Sequence, residues 1–242
     1  MEIAFDAWLS DIFGYSVFRL TPPDDPEECA NDLILHCSGV ERAMYYTKIP
    51  TSEVRRSHLL EKAGFYVVDV NTTFELTKDA SAPVDVHDDI FIGDTPKYHE
   101  EVLNIASTCF RYSRFHLDHL VPNAIANRIK REWISSYIQR KRGDKLFVAV
   151  KGDAPVGFLA ATTGISDGKR TAIIELIGVD LAFQGQGIGM ALVGTFIRTY
   201  RNTCEVLQVG TQAVNIPSMR LYERMGFSIV DTKYVMHLHY GI

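Results

Sequence analysis

A strand, a glycine-rich turn and a helix follow one another between residues 177 and 200, and this junction constrains the fold more than any other stretch. The first N–H groups of a helix have no partner within the helix and lie at the positive end of its dipole, so we expect an anion there. Glycines in such a turn adopt positive φ angles and let a diphosphate approach the backbone closely. The six turn residues are Gln184, Gly185, Gln186, Gly187, Ile188 and Gly189.

The spacing of these glycines excludes two classes of cofactor. The chain has no Gly-Lys-Ser/Thr sequence to form a P-loop, and the turn lacks the GxGxxG spacing of a dinucleotide-binding βαβ unit. The turn therefore predicts a cofactor that carries phosphate, but by itself it leaves that cofactor unnamed.

Composition removes several further classes of protein. The chain has 25 Lys and Arg against 30 Asp and Glu, and these charges are spread along it, which argues against nucleic acid as a partner. No apolar run is long enough to cross a bilayer and the first residues lack a signal-peptide pattern, so we expect a cytoplasmic protein without a membrane partner. The four cysteines form no CxxC pair and no zinc-ligand spacing, so we expect no metal.

An internal repeat divides the chain. Residues 59–69 align without a gap on residues 221–231, and each segment reads as a helix end, a glycine and an alternating strand. Coincidence is the alternative, because this junction is common, but we favour a duplication. Residues 77–83 are small and polar and end in proline, which is typical of a linker. We therefore predict an N-terminal subdomain over 1–83 and a second domain over 84–242.

The second domain alternates between helical and strand periodicity. The order of these elements predicts an α/β domain with a mixed sheet. Asp94 or Thr95 is expected to cap a first helix that starts at Pro96 and carries Cys109 on its apolar stripe, and the segment 111–122 is expected to be a loop. The remaining expected elements are a helix over 125–137, a hairpin over 146–150 and 156–160, strands over 171–179, 206–211 and 229–238, and helices over 190–200 and 217–224.

The glycine turn resembles the signature of the GNAT acetyltransferases. Gln184, Gly187 and Gly189 match its pattern of Gln or Arg, two residues, Gly, one residue, and Gly or Ala. Downstream, Asn215 and the Tyr-x-x-x-Gly-Phe sequence over 222–227 resemble the second cofactor-binding segment of that family. The resemblance implies a GNAT fold, N-acetyltransferase activity and acetyl-CoA as the cofactor, held by all six residues of the turn.

The resemblance also implies how coenzyme A binds. Its pantetheine arm is expected to enter a wedge between the strand that ends near Val179 and the strand that begins near Val206. Backbone groups of Ile177 and Val179 would bond the arm, and amides near Gly178 would polarise the thioester carbonyl. Asn215 would contact the pantetheine or the pyrophosphate.

Acyl transfer to an amine needs a base for the amine and an acid for the departing thiolate. The position of Tyr222 in the second segment makes it the candidate acid, with a packed aromatic on an apolar helix face as the alternative. Asp69 is the preferred base. Glu175, on the strand before the turn, and the loop histidines His116 and His119 are the other candidates.

Outside the shared signature, the chain resembles the dTDP-fucosamine (dTDP-4-amino-4,6-dideoxygalactose) N-acetyltransferase family. The matching stretches are residues 8–20, 60–65, 113–116 and 131–134, so the likeness spans nearly the whole chain and includes a truncated GNAT-like N-terminal half. It implies a dTDP-linked amino sugar as the acceptor, a sugar pocket built partly by the N-terminal half, and a carboxylate after the Gly-Phe strand start that activates the amine. Asp69 occupies that position.

The same stretches nominate residues for the acceptor. Arg114 offers a guanidinium fork to a pyrophosphate and Phe115 an apolar face, although a solvated surface cation is the alternative for Arg114. Asp11, Phe13 and His116 are further substrate-binding candidates. A GNAT enzyme acting on a protein or a small free amine, and a non-catalytic acyl-CoA-binding module, are the competing hypotheses. GNAT proteins are often dimers, so a homodimer is an open expectation.

Overall fold

The computed structural model describes residues 2–22, 33, 36–77, 90–93 and 96–242. Ten strands in these ranges form one mixed sheet in the order β1-β2-β3-β10-β4-β9-β8-β7-β6-β5. The strands are β1 (Glu2–Phe5), β2 (Ser16–Thr21), β3 (Ala43–Pro50), β4 (Tyr66–Thr77), β5 (Ile90–Gly93), β6 (Lys145–Lys151), β7 (Ala154–Ser166), β8 (Lys169–Val179), β9 (Val206–Gln212) and β10 (Ser228–Tyr240). The helices are α1 (Ala7–Phe13), α2 (Val54–Lys62), α3 (His99–Ala106), α4 (Arg114–Leu117), α5 (Asn123–Ile138), α6 (Ile188–Tyr200) and α7 (Ile216–Arg224).

This architecture confirms the predicted α/β fold with a mixed sheet. Strands β2 and β3, and strands β8 and β9, pair in parallel, whereas the other neighbours pair antiparallel. The predicted hairpin is β6 and β7. No helix in the described ranges is long and apolar enough to cross a membrane.

The region before the hairpin differs from its prediction. Residues Pro96–Tyr98 form a 3₁₀ turn, and α3 starts only at His99 and ends at Ala106, so Cys109 lies beyond the helix. The proposed capping residues, 94 and 95, lie outside the described residues. The predicted loop over 111–122 contains the short helix α4, because the carbonyl of Ser113 accepts the N–H groups of His116 (2.8 Å) and Leu117 (3.0 Å).

The two copies of the repeat have the same local structure. In each, a helix ends at a glycine with positive φ, Gly64 (+95°) and Gly226 (+85°), which glycine adopts without strain. The N–H of Phe65 bonds the carbonyl of Leu60 at 3.0 Å, and the N–H of Phe227 bonds the carbonyl of Tyr222 at 3.0 Å. Both junctions therefore close in the same way.

The strands that follow these junctions are neighbours in the sheet. Strand β10 lies between β3 and β4, and β4 in turn pairs with β9, so each half of the chain pairs its last strand with the other half. Tyr66 pairs with His237, and Ser228 pairs with Glu75. When the repeat alignment is continued without a gap, Ser228 corresponds to Tyr66 and His237 to Glu75. The pairing is thus symmetric, which supports duplication over coincidence.

This exchange joins both halves in one sheet. Most of the predicted linker, residues 78–83, lies outside the described residues, and the division into 1–83 and 84–242 stays a prediction.

On one face, α1, α4 and α5 cover β2, β3 and the end of β10. The segment between α3 and α5, which belongs to the second half by sequence, therefore packs on strands of the first half.

Candidate active site

The wedge expected between two strands is present at the centre of the sheet. Strands β8 and β9 pair only over Thr171–Ile174 and Val206–Val209, and beyond these residues they separate. The pairing of β8 with β7 also skips Glu175, which forms a β-bulge at the mouth of the wedge. A bulge at this point bends β8 away from β9 and opens space for an extended ligand.

Unpaired peptide groups line the β8 side of the wedge. The N–H of Asp180 bonds the carbonyl of Val156 on β7 at 2.9 Å. Because peptide groups alternate in direction along a strand, those of Ile177 and Val179 point to the opposite edge, toward the wedge. The side-chain amide of Gln184 donates to the carbonyl of Val179 at 3.2 Å and ties the glycine turn to the strand end.

The glycine turn forms the far wall of a cavity of about 550 Å³. Gly185 and Gly187 have φ angles of +77° and +81°, and Gly187 is the N-cap residue of α6. Gln186 does not line the cavity, because its amide nitrogen donates to the carbonyl of Ala182 (3.4 Å) and its oxygen accepts from Lys151 (3.2 Å). The predicted cofactor and catalytic residues that do line it are Ile177, Val179, Gln184, Gly185, Gly187, Ile188, Gly189, Asn215 and Tyr222.

Asn215 has a structural task at the start of α7. Its Oδ1 accepts from the N–H of Ser218 at 3.3 Å, and its Nδ2 donates to Oγ1 of Thr211 on β9 at 3.3 Å. It therefore caps the helix and holds it against the end of β9 while facing the cavity.

Tyr222 lies on α7 with only 2% of its surface exposed. Its ring packs against Phe74 (5.6 Å between centroids) and Phe227 (6.1 Å), as the packing alternative expected, yet the residue also lines the cavity. Burial raises the pKa of its phenol, so the hydroxyl stays protonated throughout the neutral range. The hydroxyl makes no hydrogen bond to any described residue and is free to donate one.

Asp69 lies on β4, outside the cavity wall but beside Gln212, which lines the cavity. Its side chain is buried, and Oδ2 has no hydrogen-bond partner among the described residues. Burial raises the pKa of Asp69 to about 6, against the opposing effects of the Val70 N–H, Lys48 and Gln212. A carboxylate with such a pKa can accept a proton at neutral pH.

The other candidate bases have partners that occupy them. The Glu175 carboxylate accepts from Tyr137 (2.7 Å), Arg142 (2.9 Å) and Trp133 (3.2 Å), and these bonds outweigh burial and lower its pKa. His119 is exposed on the surface, and its only ring contact in the described part of the chain is a tilted one with Tyr66, at 5.4 Å between centroids. Asp69 therefore remains the preferred base.

None of the five predicted substrate residues lines the cavity. Asp11 is exposed on α1, and the ring of Phe13 packs 6.1 Å from that of Phe115, which is 2% exposed within a core cluster. His116 bonds Oδ1 of Asn127 at 2.9 Å, and burial lowers its pKa. The sequence stretches that nominated these residues pack α1 and α4 against α5.

Arg114 is not a solvated surface cation. Its guanidinium carbon lies 4.0 Å from the ring centroid of Tyr46 and 4.5 Å from that of Phe115. Its Nη1 is buried and has no hydrogen-bond partner among the described residues. The neighbouring Ser113 lines the cavity, but Arg114 itself does not, so its unused donor capacity lies outside the cavity wall.

Sequence reasoning missed a buried hydrogen-bond cluster centred on Asp118. Its carboxylate accepts from Tyr66 (2.6 Å), His237 (2.6 Å), His239 (2.8 Å) and the N–H of Leu120 (3.0 Å). Although burial opposes it, these donors hold the pKa of Asp118 well below its usual range. The His-x-His pattern at the end of β10 is the sequence signal that could have indicated the cluster.

This cluster is better suited to holding the segment than to binding a metal. Nε2 of His237 and Nδ1 of His239 are buried without partners, whereas a ligating histidine usually gives its second N–H to a neighbouring group. Three of these hydrogen bonds, from Tyr66, His237 and His239, instead fasten the segment that carries Arg114 to β4 and β10. Lys130 is the second functional candidate that was missed, because it follows the apolar Ile129 in an amphipathic pattern and reads as a surface lysine.

Comparisons with known proteins agree with this geometry. The model of the Acetyltransferase (GNAT) family matches residues 99–227. That is more than half of the chain, and it includes the wedge, the glycine turn and Tyr222. The chain therefore belongs to the GNAT family, whose members are acetyltransferases that take the acetyl group from acetyl-CoA.

Three relatives show how far the sequence likeness extends. The spore coat polysaccharide biosynthesis protein SpsD of Bacillus subtilis is 28% identical over 150 residues, 62% of this chain and 49% of SpsD. A mycothiol acetyltransferase of Propionibacterium freudenreichii is 33% identical over 32% of this chain and 25% of its own. The N-acetylaspartate synthetase of Danio rerio is 33% identical over 39% of this chain and 33% of its own. The chain thus spans about half or less of the length of these relatives.

Solved structures share the fold across most of the chain. A GCN5-related N-acetyltransferase from Sphaerobacter thermophilus is similar with a TM-score of 0.59 and 19% identity, over 88% of this chain and 65% of its own. A tandem GNAT protein from the clavulanic acid biosynthesis pathway is similar with a TM-score of 0.60 and 13% identity, over 93% and 76% of the two chains. At these identities the likeness concerns the fold alone.

Proposed function

We propose that this protein transfers the acetyl group of acetyl-CoA to the amino group of a dTDP-linked amino deoxysugar by direct attack. The observation that carries the proposal is the adjacency of a coenzyme A wedge and glycine turn to a buried carboxyl group, Asp69, whose pKa is about 6. The name of SpsD, which places that protein in polysaccharide biosynthesis, supports a carbohydrate acceptor.

The cofactor would lie along β8. The N–H groups at the start of α6 would bind its diphosphate. The peptide groups of Ile177 and the N–H of Val179 would bond the pantetheine as an added strand, since the Val179 carbonyl already accepts from Gln184. The bulge at Glu175 would then leave the thioester where β8 and β9 separate. There the peptide N–H groups of β8 would polarise the thioester carbonyl.

The reaction needs one proton acceptor and one proton donor. The neutral amine would attack the thioester carbonyl carbon, and Asp69 would take the proton that the nitrogen loses as the new C–N bond forms. As the C–S bond breaks, Tyr222 would protonate the departing sulfur. The products are an N-acetylated sugar and free coenzyme A, and the phenol would recover its proton from the carboxyl group through solvent.

The acceptor would approach from the face covered by α5. Arg114, with its unpartnered Nη1, would hold the pyrophosphate of the nucleotide sugar through charge-assisted hydrogen bonds. The position of Arg114 would be stabilised by the packing of Phe13, Phe115 and His116. Asp11 would have no role in binding the acceptor.

The test is a panel of dTDP-linked 3-amino and 4-amino deoxysugars, each offered with acetyl-CoA and analysed by mass spectrometry. We expect one added acetyl group on at least one of these sugars and none on their hydroxyl analogues. Acetylation of free amines or of protein lysines alone would favour a different GNAT acceptor. Binding of acetyl-CoA without any transfer would favour a non-catalytic module.

A further inference from the structure

Lys130 is a buried cation that the proposed reaction does not use. It lies on α5 with 8% of its surface exposed, and its side chain lines the cavity. Its ammonium is 5.0 Å from the ring centroid of Phe110 and 5.4 Å from that of Trp133. Within the described ranges it forms no ion pair and no hydrogen bond, so the two aromatic rings are its main contacts.

The carboxylates near this cation are not available to it. Glu175 is occupied by Arg142 and two neutral donors, and Asp69 lies next to Arg114 and Lys48 instead. Burial, together with the charges of Arg114 and Lys48, lowers the pKa of Lys130 to about 8, against the opposing effect of Cys109. This end of the cavity is therefore positive, although the whole chain has a net charge of −5.

An uncompensated buried charge is costly, and proteins seldom keep one without a use for it. Arg114 supplies a second observation of the same kind, because its Nη1 is buried and lacks a partner among the described residues. Lys130 lines the cavity with unused donors, and Arg114 is a second cation near it although it does not line the cavity, an arrangement typical of a site that receives an anion.

The diphosphate of coenzyme A does not fit this position. Helix α6, which begins at the glycine turn, packs on the face of the sheet that carries Phe147 of β6, whereas α5 packs on the face that carries Val148. Successive residues of a strand point to opposite faces, so the glycine turn and Lys130 approach the wedge from opposite sides of the sheet. An anion bound at Lys130 would therefore not be this diphosphate.

We infer that Lys130 is the anion-binding residue of the acceptor pocket, and that the acceptor carries a phosphate or carboxylate group which the Lys130 ammonium neutralises. This inference rests on the proposed acetyl transfer for the identity of the second molecule. Lys130 would act as a specificity residue that selects anionic amines.

Anion binding to protein saturated with coenzyme A tests this directly, because the cofactor then occupies the glycine turn. Calorimetric titration with inorganic pyrophosphate and, separately, with acetate would distinguish phosphate from carboxylate as the preferred group. We expect Lys130→Met to weaken binding of the preferred anion by about 10- to 100-fold, as for the loss of a charge-assisted hydrogen bond. Lys130→Arg should stay within about threefold of the wild type, since it keeps the charge.

Lys141→Met is the matched control, because Lys141 follows the same helix but is exposed away from the cavity. Wild-type affinity in Lys130→Met, or an equal loss in Lys141→Met, would overturn the inference. If Lys130→Met does not fold, labelling of Lys130 by acetic anhydride in the wild type replaces it. Pyrophosphate or acetate should then protect Lys130 relative to chloride at equal ionic strength, and absence of protection would overturn the inference.

The two proposals fail separately. Anion binding is measured without acetyl transfer, so a Lys130-dependent affinity in a protein that acetylates no sugar would reject only the proposed function. Acetylated sugar with Lys130-independent anion binding would reject only the role of Lys130.

Discussion

The two copies of the repeat share one backbone and differ in what they enclose. Helices α2 and α7 both end at a glycine with positive φ, and both lead into a strand of the central pair β4 and β10. Position 60 in the first copy is leucine and is packed in a core cluster with Tyr45 and Phe65, whereas the corresponding Tyr222 lines the cavity. The same frame thus serves packing alone in one copy, whereas in the other it also reaches the cavity, where we propose a chemical role for Tyr222.

The carboxylates of the two copies also differ, but here the candidate catalytic group is in the first copy. Asp69 is buried with an unpartnered oxygen, whereas the corresponding Asp231 is half-exposed and pairs with Lys233 at 3.1 Å. Each copy therefore contributes one of the two proposed proton-transfer groups, the acid from the second and the base from the first. Because β10 lies between β3 and β4, strand exchange brings these groups to one region of the sheet.

The largest effect is expected at the glycine turn, which lies in the half of the chain that contains the second copy. Gly187→Val should abolish acetyl-CoA binding, because a branched side chain at a φ of +81° distorts the turn and blocks the diphosphate. Gly152→Val is the matched control, since Gly152 also has positive φ (+60°) but lies in the β6–β7 turn with open space around it. Calorimetry should find normal affinity in the control, and normal affinity in Gly187→Val would refute the cofactor site.

The next largest effect is expected at Tyr222. Tyr222→Phe should leave acetyl-CoA affinity unchanged and lower kcat by about 10²–10⁴-fold, because only the proton donor is lost. Tyr200→Phe removes a hydroxyl from a buried tyrosine of the same core cluster and should leave kcat near the wild-type value. An unchanged kcat in Tyr222→Phe would show that Tyr222, like Leu60, has only a packing role.

Replacement of Asp69 should lower activity but raise stability. Asp69→Asn is expected to lower kcat/KM by about 10²-fold, and the wild-type acid limb should fall near the pKa of about 6. A raised carboxyl pKa gives stability that is present at low pH and lost as the pH rises toward 6, so removing the charge should raise the Tm at pH 7 to 8. Asp231→Asn should change neither quantity appreciably. A Tm of Asp69→Asn below the wild type would argue against a buried, unpaired charge.

The smallest effect is expected at the helix caps, where the copies differ by one side chain. Asn215 caps α7, whereas Glu53 occupies the same backbone conformation at the start of α2 and makes no capping bond. Glu53→Asn should therefore stabilise the protein by about 0.5–1 kcal/mol in urea unfolding, since the new cap outweighs the loss of its partly exposed ion pair with Arg56. A loss of stability would mean that the two helix starts are not equivalent.

Local patterns made much of the fold predictable. The glycine at each helix end, the hairpin around residues 151–153 and the apolar stripe of α5 are signals that depend only on neighbouring residues. The strand exchange was not predictable in this way, because the insertion of β10 between β3 and β4 depends on pairing over more than 150 residues. The helical turn after Ser113 was missed because four residues give too short a period to recognise.

The residues of the candidate site can also be divided into those that local patterns predict and those that depend on tertiary packing. The glycine turn and Tyr222 lie in contiguous motifs and could be predicted, whereas the burial of Phe115 and the exposure of Asp11 depend on how α1 packs against α5. Lys130 could not be recognised, since a lysine in an amphipathic helix normally faces solvent and only the packing of α3 and α5 turns it inward. Sequence thus predicted residues of the glycine turn and Tyr222 that line the cavity, whereas the residues predicted for the acceptor do not line it.

Whether backbone N–H groups at the start of α6 bind the diphosphate of coenzyme A can be seen in a crystal structure of the complex. We expect diphosphate oxygens within hydrogen-bond distance of the N–H groups of residues 187–189, with the pantetheine running between β8 and β9. Coenzyme A bound at another place, or with its diphosphate turned away from this helix start, would contradict this expectation.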